Sequence, residues 1–166
     1  MADRDQILKE KVEHSGVLDF PALYSFIHSW FKEEGYGVIE EKYSEKVGGN
    51  TRDIDIEWKA SKTFSDYFKV EYKIKYEVKD LSDVEVEIDG TRKKMNKGKI
   101  SIDITGALIK DPESKWDSTP YYRFLRDVYN KYVIPSRVQS MRNKVQSDVV
   151  TIKEKIKSYL DLIGRR

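Results

Sequence analysis

The sequence predicts an α+β domain: one long, twisted antiparallel sheet covered on one face by helices, ending in a long amphipathic helix. Three observations carry this. Apolar and charged residues alternate strictly over most of residues 53–105, short turn signals separate the alternating runs, and the last thirty residues switch to a helical period.

Residues 5–14 are compatible with either a helix closed by Gly16 or an edge strand. A helix follows. Asp19 suits its cap, Pro21 falls in its first turn, Leu23, Ile27, Trp30 and Phe31 recur at helical spacing, and Gly35 stops it. From Tyr36 the period becomes two. Ile54, Ile56 and Trp58 alternate with Asp53, Asp55, Glu57 and Lys59, and six apolar residues from Phe68 to Val78 alternate with Lys69, Glu71, Lys73, Lys75, Glu77 and Lys79. Val84, Val86 and Ile88 continue the pattern, as do Ile100, Ile102 and Ile104. The expected strands are therefore 52–60, 67–79, 83–89 and 98–109. Gly48-Gly49-Asn50, Asp89-Gly90 and Asn96-Lys97-Gly98 read as hairpin turns. Connections this short exclude parallel crossovers.

After Asp111-Pro112 and Trp116, Thr119-Pro120 signals a helix start, with Tyr121, Phe124, Leu125, Val128 and Tyr132 as its expected buried stripe. Pro135 breaks the chain. A final helix over 136–163, about 42 Å long at 1.5 Å per residue, carries Val138, Met141, Val145, Val149, Ile152, Ile156, Leu160 and Ile163 along one face. The expected lid on the sheet is this helix. No linker or repeat divides residues 1–166, so a single domain is expected.

Composition narrows the chemistry. The chain has 166 residues and no cysteine, which removes disulfides, thiolate metal sites and cysteine nucleophiles. No leader-like or membrane-spanning apolar run is present, so a soluble, cytoplasmic protein is expected. Glycine-rich phosphate loops and serine-nucleophile motifs are absent, and neither His14 nor His28 has a second ligand at metal spacing. Asp53, Asp55 and Glu57 read as a solvated face paired across strands with Lys69, Lys73 or Lys75. No catalytic residue, metal or cofactor is expected, and the chain reads as a binding protein rather than an enzyme.

Two features suggest what it binds. Trp58, Phe68, Tyr72 and Tyr76 share the inward sheet face and either pack as an ordinary core or line a cavity with polar handles for an apolar molecule, lipid or partner segment. The net charge of +2 is also uneven, because residues 119–166 hold 11 basic and 4 acidic side chains. On the last helix Arg137, Lys144 and Lys155 flank the apolar stripe on one side and Arg142, Lys153 and Lys157 on the other, with Arg165-Arg166 at the end. Such flanks either cover the rim of a core with their stems or dock on nucleic acid or another anionic surface.

The element order, a strand or helix, a helix, a long antiparallel meander and a long final helix, resembles the helix-grip fold of the START and plant-allergen superfamily. That resemblance implies a hydrophobic small molecule cradled between sheet and final helix. FLRDVYNKYVIPSR (124–137) and DVEVEIDG (83–90) are similar to stretches of small archaeal proteins and imply no function.

Overall fold

The computed structural model describes residues 3–65, 67–110, 120–128 and 135–164. In chain order the elements are β1 (Asp3–Leu18), α1 (Phe20–Glu33), β2 (Gly37–Gly48), β3 (Thr51–Thr63), β4 (Phe68–Ile88), β5 (Thr91–Lys110), α2 (Pro120–Val128) and α3 (Pro135–Gly164). The five strands form one antiparallel sheet in the order β1-β5-β4-β3-β2. Strands β2 to β5 are a meander. Strand β1 closes the far edge against β5, and α1 carries the chain back across the sheet. The ambiguous segment 5–14 is therefore strand, with Gly16 inside β1.

Alternation decides which side is covered. Ile54, Ile56, Trp58, Val70, Tyr72, Ile74, Tyr76, Val78, Ile100, Ile102 and Ile104 are buried on the helix side. The charged residues between them form the opposite, outer face. Helix α1 starts where Asp19 accepts a 3.2 Å hydrogen bond from the Ala22 amide, and Leu23, Ile27, Trp30 and Phe31 are buried as their spacing predicts. Helix α3 lies over β1 and β5. Its Val145, Val149, Ile152, Ile156 and Leu160 are buried, each worth about 1.5–3 kcal/mol of removal from water.

Two expectations are corrected. Asn96-Lys97-Gly98 is not a turn but lies within β5, and 67–79 and 83–89 are parts of one strand, β4. The cause is a bulge. Asp80 takes a left-handed φ of 53° and the β4–β5 register slips between Lys79 and Ser82. Opposite it, a Cβ on Gly98 would stand 2.9 Å from the Lys79 carbonyl oxygen, so this glycine permits close backbone approach. Asn96 is an anchor: its side chain accepts from the Phe20 amide at 3.1 Å and donates to Asp83 at 2.9 Å.

A third correction concerns α2. Tyr121, Phe124 and Val128 are exposed rather than buried, because α1 and α3 already cover the sheet face. Asp111-Pro112, Trp116, Thr119, Tyr132 and Arg165-Arg166 lie outside the described residues.

Candidate functional site

Trp58, Phe68, Tyr72 and Tyr76 all face the helices and all are buried. They do not converge on one spot. Trp58 and Tyr76 pack edge-on at 4.9 Å beneath Tyr24 of α1, whose ring is 4.6 Å from Trp58. Tyr72 packs with Tyr36 at 5.1 Å and Phe31 at 5.7 Å, and Phe68 packs edge-on against Tyr67. Above Tyr72 the helix touches the sheet directly: a Cβ on Gly106 of β5 would fall 2.5 Å from Val145 Cγ1.

What joins sheet to helix here is polar. Tyr72 and Tyr36 both donate to Asp148 of α3, at 2.9 and 3.1 Å, and Lys144 lies 3.4 Å from the same carboxylate. Burial, more than the neighbouring carboxylate, pushes the Tyr72 hydroxyl far above the usual phenol range and Tyr36 likewise. Tyr76 is raised by burial, and among the described residues its hydroxyl has no hydrogen-bond partner. These hydroxyls hold their protons and are poorly suited to act as bases.

The basic residues of α3 divide into two sets. Arg142 pairs with Asp5 of β1, Lys153 pairs with Glu10 of β1 at 2.8 Å, and Lys144 is engaged by Asp148. Arg142 and Lys153 clasp the helix to the sheet edge, while the Lys144–Asp148 pair lies within the helix. Arg137, Lys155 and Lys157 are exposed and make no ion pair with the described residues. On the outer face, Glu57 stands opposite Lys75, as expected for β3. Lys73, however, stands opposite Lys59, Lys69 opposite Thr63, and Asp55 opposite Glu77. Among the described residues no three His, Asp or Glu side chains gather to hold a metal. His14 donates to the Val17 carbonyl at 3.0 Å, and His28 sits edge-on to Trp58 at 5.5 Å.

Among the described residues, the large apolar side chains of the sheet that stand exposed lie on β2. This strand pairs, among the described residues, with β3 alone, and it shows solvent Ile39, Tyr43 and Val47 at 61%, 54% and 67% of full exposure. A bulge between Glu40 and Lys42 turns Ile39 to the outer face and Tyr43 and Val47 to the helix face. Beside Tyr43 opens a cleft of about 270 Å³, floored by Ile54, Ile56 and Leu81 and walled by Phe20, Tyr24 and Arg52. Arg52 is held by Glu45 at 3.6 Å and Asp83 at 3.3 Å. The alternation count misses this strand because the bulge breaks its period. The signal it did carry was GVIEEKYSEKVG placed directly before the Gly48–Asn50 turn, half of a hairpin whose other half was plain.

No protein-family model, no curated protein and no solved structure matches this chain.

Proposed function

We propose that the protein is a non-enzymatic binding module that takes up an extended segment of a protein partner by strand addition along β2. The observation that carries this is the exposure of Tyr43 and Val47 on an edge strand beside an apolar-floored cleft. An edge strand presents unpaired amides and carbonyls that template another strand, and proteins usually protect such edges. The two edges of this sheet are treated differently. Strand β1 is overlaid by α3 and clasped by Arg142 and Lys153, whereas β2 carries no proline, is joined to α1 by a 3.2 Å bond from Tyr24 to Glu40, and is guarded by its bulge and by Lys42 and Lys46.

The side chains of β2 describe the segment it would accept. Apolar residues at alternate positions would lie beside Tyr43 and Val47 over the cleft. On the outer face Lys42 and Lys46 have no carboxylate within 4.0 Å among the described residues, and they favour acidic residues between those apolar positions.

Selection from a displayed random-peptide library tests this. The expected winners alternate apolar and acidic residues, protect β2 amides from hydrogen exchange, and bind the double variant Tyr43→Lys, Val47→Lys at least about tenfold more weakly. Winners that bind that variant equally, or protect another element, would exclude strand addition at β2.

A further inference from the structure

The outer sheet face holds a second cavity, independent of β2. Lys79 of β4 stands directly opposite Lys99 of β5, and Lys99 stands opposite Ser15 of β1. Two residues further along, Ser101 lies between Glu77 and Glu13. These six side chains line a cavity of about 440 Å³.

Its two positive and two negative side chains balance in number but are segregated, Lys79 and Lys99 in one row and Glu77 and Glu13 in the next. Like charges directly opposed on neighbouring strands are unfavourable. The same face contains another such pair, Lys59 and Lys73, and there the protein supplies its own anion: buried Glu71 lies 3.4 Å from Lys59 and 2.6 Å from Arg4. Lys79 and Lys99 have no counterpart, and neither meets a carboxylate within 4.0 Å among the described residues. Glu13 turns to Lys11 at 3.2 Å instead, and Glu77 makes no ion pair with the described residues. The Ser101 hydroxyl in the floor is buried without a partner among the described residues. Backbone irregularities border the cavity on two strands, Gly16 at φ 128° in β1 and the Asp80 bulge in β4, and such devices re-aim side chains beside sites.

We infer that this cavity binds a small zwitterion, its anionic group between Lys79 and Lys99 and its ammonium at Glu77 and Glu13. Two residues of strand separate the two rows, so the ligand's charges stand about 7 Å apart or slightly less. Amine-bearing phosphate monoesters and ω-amino carboxylates have this chemistry. The Ser101 hydroxyl donates to the anion or accepts from the ammonium.

Backbone amide NMR titration of the whole chain with 2-aminoethyl phosphate and with 4-aminobutanoate tests the inference, with inorganic phosphate and ethylammonium as single-charge probes. At least one zwitterion should shift residues 13–16, 77–80 and 99–101 saturably and bind about tenfold tighter than either single-charge probe. Lys99→Gln and Glu77→Gln should each weaken it by about tenfold. Lys99→Glu should abolish binding yet raise the melting temperature of the free protein, because it replaces a like-charge pair by an opposite one. Co-sedimentation with phosphatidylethanolamine vesicles, lost in Lys99→Gln, would identify a lipid headgroup as the source; binding of the free zwitterions without co-sedimentation would identify a soluble metabolite. No shift at about 10 mM of any probe, a response unchanged in Lys99→Gln, or phosphate binding as tightly as the zwitterions would overturn the inference.

Discussion

Tyr72 of β4 donates a 2.9 Å hydrogen bond to Asp148 of α3, and through it the middle of the sheet holds the last helix in register. Tyr36, just after α1, donates to the same carboxylate oxygen, so one acidic side chain ties together three parts of the fold.

Asp148→Ala leaves two largely buried hydroxyls without their acceptor. At about 1–3 kcal/mol for each unmet buried group, the expected loss is about 2–6 kcal/mol by urea denaturation. Tyr72→Phe alone should cost about 1 kcal/mol, and the double variant less than the sum of the two. Strict additivity would show that the contact does not couple helix to sheet. The raised hydroxyls also set an alkaline limit. Groups whose folded pKa is raised stabilise fully below their unfolded value and lose that contribution above it, so stability should decline once pH passes the ordinary tyrosine value of 10.0.

Gly106 is where α3 comes closest to the sheet. Gly106→Ala places a methyl group 2.5 Å from Val145 Cγ1, 3.1 Å from Val149 Cγ2 and 3.2 Å from Tyr72 Cε1. Overpacking of this kind costs about 1–3 kcal/mol. Val145→Ala, itself destabilising, should be nearly neutral or favourable in the Gly106→Ala background. A Gly106→Ala protein as stable as the wild type would mean that α3 lies further from β5.

The buried carboxylate of the outer face should be visible in acid. Burial alone would raise the Glu71 pKa, but the hydrogen bond and charge of Arg4, and then Lys59, hold it below the ordinary value of 4.5. A lowered folded pKa means stability that is present above the unfolded value and lost as pH falls through the folded one. Wild type should therefore exceed Glu71→Gln in stability at neutral pH, with the gap closing below about 4.5. A gap that stays constant from neutral to strongly acidic pH would show that Glu71 matters for its shape and not its charge.

How much of this was legible depended on whether one residue's pattern reported one role. Strict alternation identified β3, the two halves of β4 and the core of β5, because each has one wet and one dry face. The α3 stripe was equally plain, and Val145, Val149, Ile152, Ile156 and Leu160 are the residues that are buried. Glycine was harder. Gly98 sits beside Asn96 in what reads as a turn, yet it is there to let the Asp80 bulge approach. Gly106 occupies a position where Ile100, Ile102 and Ile104 lead one to expect another large side chain, and that gap is the trace of α3 pressing on the sheet. For the candidate sites, composition could place aromatics inward but could not show that Tyr72 and Tyr76 belong to different packing groups. Nor could it show that Lys79 faces Lys99, since strand register depends on a bulge with no sequence signature of its own.

Ion pairing also sets an upper limit on what α3 can contribute to any binding of nucleic acid. Six basic residues flank the apolar face of α3, and if all contacted phosphates the affinity for duplex DNA would fall with salt at a slope of about −5, at roughly −0.9 per contact. Arg142, Lys144 and Lys153 are already engaged by Asp5, Asp148 and Glu10. To recruit them, DNA would have to break these pairs, two of which tie α3 to β1. Arg137, Lys155 and Lys157 remain, so the slope that α3 contributes should be no steeper than about −3. Reversing Lys155 and Lys157 to Glu should remove most of that binding and leave stability within about 0.5 kcal/mol, as for other exposed positions. The same reversal at Lys153 should instead destabilise the fold, by setting a carboxylate against Glu10. A slope near −5, with Lys153→Glu as stable as wild type, would return the whole helix to service as an anionic-surface docking element.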